Sequence, residues 1–136
     1  MKNVLITGAT DGIGKQTAHE LAKLNYSVIL HGKNRRKGEI ILDEIRRKSG
    51  NNQLELVIAD LASQKSIQRM SEELHEKFSQ LDILINNAGT YQRKHVFFFF
   101  FIEISFAVNH LSYYSLTLLL IDMIKKSPAG KIINVS

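Results

Sequence analysis

A glycine-rich octet, Thr7-Gly8-Ala9-Thr10-Asp11-Gly12-Ile13-Gly14, stands between a short β-branched run and an amphipathic helical pattern. Glycines at a strand-to-helix turn admit positive φ and let backbone approach backbone closely. The helix that starts there presents unpaired N–H groups and the positive end of its dipole, a setting suited to a pyrophosphate. The spacing G-x-x-x-G-x-G differs from the familiar G-x-G-x-x-G. A tight turn with no ligand is the plain alternative, and the buried strand ahead of the octet weighs against it. Gly8, Thr10, Asp11, Gly12, Ile13 and Gly14 are accordingly the candidate phosphate-binding residues.

The rest of the chain repeats the strand-then-helix alternation. Strands are expected at residues 3–7, 27–31, 54–59, 82–86 and 131–135, each bounded by Gly, Asn, Asp or Ser. Helices are expected at 12–24, 35–48, 63–78 and 101–126. The strands are apolar on consecutive positions, which fits a parallel sheet covered on both faces. The pattern predicts an α/β, Rossmann-like doubly wound parallel sheet of about five strands. In the third helix Ser63 is the expected N-cap, with Ile67, Met70, Leu74 and Phe78 forming the core-facing stripe.

A length of 136 residues, 44% hydrophobic and 23% charged, fits one globular domain spanning 1–136 and excludes a disordered or collagen-like chain. With no cysteine there is no disulfide framework and no thiolate metal site, and a reducing cytoplasm fits. Residues 1–7 lead straight into the glycine turn, with no signal-peptide pattern. The apolar stretch at 111–124 is too short and too interrupted by polar residues to cross a bilayer, and reads as a buried core helix. His19, His31, His75, His95 and His110 lack metal-ligand spacing and read as structural or surface residues.

The formal charge is +5, and most of the excess lies between Lys33 and Lys48. Asp43 with Arg47 and Glu44 with Lys48 are spaced i to i+4 in the acid-first order of an exposed helix. No aromatic interleaving or zinc spacing accompanies the cations, so nucleic acid is not an expected partner. Where a dinucleotide fold meets the adenosine ribose, an Asp or Glu would serve a 2′-hydroxyl. Here the chain reads His31-Gly32-Lys33-Asn34-Arg35-Arg36, without an acid. That pattern points to NADP over NAD. Cations at a helix start are unfavourable to its dipole, which also suits an anionic partner.

Three further pieces make the pattern specific: Asp60-Leu61, Asn86-Asn87-Ala88-Gly89 and Val108-Asn109-His110. With residues 7–14 they resemble, in order and over essentially the whole chain, the short-chain dehydrogenase/reductase family. The run around Asn109, with Leu111, Leu116 and Thr117 following, is most similar to its retinol-dehydrogenase-like part. The resemblance implies hydride transfer between a nicotinamide dinucleotide and a small carbonyl or alcohol substrate. It implies that Asp60, with Leu61 beside it, lies at the adenine, that Asn87, Ala88 and Gly89 line the adenosine side, and that Lys33, followed by Asn34, marks NADP preference. Asn109 matches the catalytic-site asparagine. On the residues alone, Asp60 could cap the following helix and Asn86 and Asn87 could be turn formers. Asn109, inside an apolar helix, needs polar partners.

The family's catalytic Tyr is followed four residues later by Lys. Here Tyr26, Tyr91, Tyr113 and Tyr114 are followed at that spacing by Leu30, His95, Thr117 and Leu118. Residues 131–136 resemble the strand just before the family's catalytic Ser, with Ser136 matching the first Ser of a Val-Ser-Ser ending. The resemblance therefore covers the cofactor-binding half and places Ser, Tyr and Lys beyond residue 136. A catalytically silent nucleotide-binding or partner-binding protein is the alternative. An open last strand would favour self-association as a homo-oligomer. Five consecutive Phe at 97–101 have no chemical role in this scheme and call for burial or a partner.

Overall fold

The computed structural model describes residues 1–88 and 112–135. Among the described residues nine elements follow in order: β1 (Asn3–Ile6), α1 (Gly12–Lys23), β2 (Ser27–Gly32), α2 (Arg35–Ser49), β3 (Leu54–Ile58), α3 (Gln64–Lys77), β4 (Ile83–Asn86), α4 (Ser112–Lys125) and β5 (Lys131–Asn134). The strands form one sheet in the order β3-β2-β1-β4-β5, every pairing parallel. The doubly wound α/β expectation is met, with strand and helix ends within a residue or two wherever the chain is described. The run at 97–101 and the start of its helix lie outside the described residues.

Consecutive apolar residues in the strands are explained by two cores, one on each face. Val4, Ile6, Val28 and Leu30 join Ala18 and Ala22 of α1 and Ile41 and Ile45 of α2. Leu5, Ile29 and Val57 point the other way, onto Ile67, Met70 and Leu74 of α3 and Leu116, Leu120 and Met123 of α4. In β1 and β2 a period of two thus feeds both cores, whereas β5, at the edge of the sheet, is exposed along its length.

Local signals set the helix ends. Ser63 caps α3, accepting from Ser66 N–H at 3.2 Å, and Asn34 caps α2, accepting from Lys37 N–H at 3.0 Å. Gly50, at φ +72°, closes α2 in the left-handed conformation.

Two expectations are corrected. Glu44 does meet Lys48, at 3.1 Å, but Asp43 turns to Arg46 at 2.8 Å and not to Arg47, because i+3 is as close a neighbour on a helix as i+4. Glu44 also takes Lys15 of α1 at 3.2 Å; the hydrogen bonds from Lys48 and Lys15 hold its carboxyl below the usual carboxylate range. The second correction concerns α4, which is buried on one face only. Leu116 and Leu120 are enclosed, while Tyr114 and Leu118 are more than half exposed. No helix among the described residues is long and apolar enough to cross a membrane.

The strand order reverses at β1. Chain order runs outward through β2 and β3 on one side, then resumes on the other with β4 and β5. Such a switch point opens a crevice beyond the carboxyl ends of the strands.

Candidate functional site

The glycine octet leaves β1 at that switch point, and three neighbouring strand ends fix its shape. Thr7 is fully buried, and its hydroxyl accepts from the backbone N–H of Asn87 and of Ala88, both at 2.9 Å. The Asn87 amide returns the tie by donating to the Thr7 and Gly8 carbonyls, each at 3.2 Å. The residues just past β1 and β4 are thereby locked together.

His31, at the end of β2, completes the frame. Its Nδ1 accepts from Gly8 N–H at 3.0 Å, and its Nε2 lies 2.9 Å from the Ala59 carbonyl just past β3. An imidazole that accepts at one nitrogen and faces a carbonyl at the other must be the neutral Nε2–H tautomer. Burial pushes the His31 pKa down, against a smaller opposing effect of the Ala59 bond, so neutrality is the stable state. Ala9 N–H to His31 carbonyl and Ala59 N–H to Gly32 carbonyl continue the chain of bonds across β1, β2 and β3.

Two glycines of the turn are required for different reasons. A Cβ on Gly14 would collide with the Gly8 carbonyl oxygen and come within 2.5 Å of Asn87 Nδ2. Gly12 is different: its φ is +51° and a Cβ there would meet nothing within 4 Å. The turn conformation requires it, and the space beside it is open.

Asp11 occupies the N-cap position of α1 in extended conformation, yet its side chain makes no capping bond. Among the described residues, the N–H groups of Gly12, Ile13 and Gly14 have no acceptor, and Ile13 is 67% exposed. The Asp11 carboxylate instead meets Lys37 Nζ of α2 at 2.5 Å. Free N–H groups at a helix start, beside open space, form an anion-binding arrangement.

The cations at the end of β2 divide. Arg35 lies 4.0 Å from Glu39 and Lys37 is held by Asp11. Lys33 and Arg36 are exposed and form no ion pair among the described residues. Asn34 is committed to its helix as N-cap.

Past β3, Asp60 is exposed at the same edge of the sheet. Its Oδ1 accepts from Ala62 N–H at 3.0 Å in a local turn, and its own N–H donates to Ser66 Oγ at 2.8 Å. The cap of α3 is Ser63, so Asp60 is not the N-cap. Leu61 is 6% exposed and packs into the core beside α3 and α4. Asn86 is buried, donating from Nδ2 to Asn134 Oδ1 at 2.8 Å and to Thr117 Oγ1 at 3.3 Å, while its Oδ1 has no partner among the described residues.

The fold therefore gathers Gly8, Thr10, Asp11, Gly12, Ile13, Gly14, Lys33, Asn34, Asp60, Asn87 and Ala88 along one edge. Gly89 and Asn109 lie outside the described residues, as do His95 and His110. No cluster of metal-ligating side chains occurs among the described residues. The sequence reading missed Thr7 and Lys37 and assigned His31 no specific task. A hydroxyl on the strand residue before the first glycine was the available signal for Thr7; a cation in the first turn of a helix was the signal for Lys37.

Comparison with known proteins gives the same picture. The family described as short chain dehydrogenase matches residues 2–136. Retinol dehydrogenase 13 of Homo sapiens is 42% identical over 135 residues, covering 99% of this chain and 41% of that protein. Retinol dehydrogenase 11 of Homo sapiens is 38% identical, covering 99% of this chain and 42% of its own length. The chain thus spans about two fifths of the length of these relatives. Among solved structures, a short chain dehydrogenase from Escherichia coli CFT073 complexed with NADPH superposes with TM-score 0.89 at 26% identity, covering 99% of this chain and 58% of that one. A metagenomic short-chain oxidoreductase in complex with NADP gives 0.87 at 26% identity, with 99% and 62% covered. From the glycine turn at the switch point to the sheet order around it, the chain belongs to the short-chain dehydrogenase family.

Proposed function

We propose that this chain is the dinucleotide-binding portion, a single domain over residues 1–136, of an NADP-dependent oxidoreductase of the short-chain type, working in a reducing cytoplasmic setting. The observation that carries the reading is the start of α1, where three N–H groups have no acceptor among the described residues and a Cβ on Gly12 would meet nothing within 4 Å. Gly8, Thr10, Gly12, Ile13 and Gly14 would receive the pyrophosphate, with Asp11 beside them. Lys33, next to Asn34, would meet the 2′-phosphate, since it is exposed and without an ion pair among the described residues. Asp60 and Leu61 would lie toward the adenine, and Asn87, Ala88 and Gly89 along the adenosine. Asn109 would belong to the catalytic centre. When bound, the nicotinamide supplies or accepts the hydride exchanged with a small carbonyl or alcohol substrate.

Titration calorimetry of the 136-residue chain with NADPH and NADH tests this. NADPH is expected to bind more tightly, and Lys33→Ala to weaken NADPH roughly fivefold to tenfold, as loss of a charge-assisted bond does, while sparing NADH. Failure to bind either dinucleotide would overturn the reading, and equal affinity for both would remove the role given to Lys33.

One observation favours a second reading, a nucleotide-binding chain that performs no hydride transfer: no Tyr here has a Lys four residues later. Reductase activity from the purified chain would exclude it.

A further inference from the structure

The Asp11 carboxylate is in an unusual place. An aspartate at the N-cap of a helix ordinarily turns back to accept from the second or third N–H of that helix. Asp11 has the extended backbone of such a residue, φ −144° and ψ 159°, and makes no capping bond. Its Oδ2 is instead taken by Lys37 Nζ at 2.5 Å, 26 residues away in the first turn of α2. The N–H groups of Gly12, Ile13 and Gly14 are left without an acceptor among the described residues.

We infer that Lys37 is a positioning residue that keeps the Asp11 carboxylate off the start of α1, so that those N–H groups stay available to the dinucleotide pyrophosphate. The inference rests on the proposed dinucleotide site and adds a role for two side chains within it. An exposed ion pair and an N-cap hydrogen bond are of comparable strength, so losing the first releases Asp11 to form the second. Once there, the carboxylate occupies the donors and adds a negative charge where two phosphates must sit. Lys37 suits the task because its ammonium stands at the positive end of the α2 dipole, where a carboxylate partner is favoured. The acids of α2 itself are engaged elsewhere, Glu39 with Arg35, Asp43 with Arg46 and Glu44 with Lys48 and Lys15.

This role differs from direct contact between Lys37 and a 2′-phosphate, and affinity separates the two. Calorimetry on the 136-residue chain is expected to show Lys37→Gln weakening NADPH and NADH by the same factor, about fivefold to tenfold for a displaced cap charge. Lys37→Arg should retain wild-type affinity. Asp11→Ala, unable to cap, should restore the affinity of Lys37→Gln in the double variant. A loss confined to NADPH, or a double variant as weak as Lys37→Gln alone, would overturn the inference. A ligand-free measurement stands beside it: amide exchange at Ile13 and Gly14 should slow in Lys37→Gln and return to wild-type rates in the double variant. Unchanged exchange overturns the inference even if no dinucleotide binds, whereas an absence of binding with the slowing intact overturns only the proposed function.

Discussion

Replacing Thr7 by Val keeps the shape of a fully buried side chain and removes one oxygen. That oxygen is the acceptor for the Asn87 and Ala88 N–H groups at 2.9 Å. It also donates weakly to the Ile85 carbonyl at 3.4 Å, a carbonyl that already receives the Thr7 N–H at 3.1 Å and so stays satisfied. The loss falls on the two donors, and a buried donor deprived of its partner costs about 1–3 kcal/mol. Asn87 is only half-buried and recovers part of its share from water, so we expect about 2–4 kcal/mol for Thr7→Val. For a chain of this size that lowers Tm by roughly 6–14 °C. Thr7→Ser retains the oxygen and loses one methyl, which costs about 1 kcal/mol. The order is the reverse of what hydrophobicity and volume give: Ser should be the milder substitution although Val fits the cavity better. Urea and thermal unfolding of the three chains measure it. A Val variant as stable as the Ser variant would refute the assignment of Thr7 as the clasp between β1 and β4.

Other outcomes follow from the charged groups. His75 Nε2 lies 3.0 Å from Asp122, tying α3 to α4, and the Ser71 carbonyl followed by Asp122 raises the His75 pKa. The stability these two bonds give is therefore full below pH 6.5 and lost as pH rises through the raised folded value; Asp122→Asn should reduce that pH dependence and leave the part due to the Ser71 carbonyl, as NMR titration of His75 and unfolding curves would show. Asp82, at the opposite edge of the sheet, is buried, and that burial is outweighed by hydrogen bonds from Ser127, the Asn3 backbone and Gln80, so its pKa is lowered. Its contribution is present above pH 3.8 and lost as pH falls through the folded value, and Asp82→Asn should flatten the acid limb of a stability profile. His31→Leu should cost about 2–4 kcal/mol by stranding Gly8 N–H and the Ala59 carbonyl; a urea midpoint equal to wild type would contradict the bridging role given to His31.

Nearly all of the described scaffold was legible in the sequence because its signals are local. Apolar runs such as Val4 to Ile6 and Val28 to Leu30 encode strands covered on both faces, and Ser63 announces its helix within three residues, whereas the cap at Asn34 emerged only in the structure. The glycine turn was equally legible, since Gly12 and Gly14 carry conformation and close approach in their lack of a side chain. What the sequence did not display are bonds between residues far apart: Thr7 to Asn87, His31 to Ala59 and Lys37 to Asp11. No periodicity reports them, because each depends on which strands become neighbours. The one-sided burial of α4 was hidden for a related reason: its apolar residues run all round the helix, and only the packed sheet selects Leu116 and Leu120 over Leu118.

The clasp at Thr7 also carries a cost in chain entropy. Its partners lie 80 and 81 residues further along the chain, whereas the His31 tie to Gly8 spans only 23. Closing the longer loop carries the larger entropic cost and comes later. β1, β2 and the helix between them can therefore assemble while the residues after β4 are still free. The glycine turn is thus held to β2 by the shorter loop, while its tie to the residues after β4 closes the longer one at about 1 kcal/mol more of chain entropy.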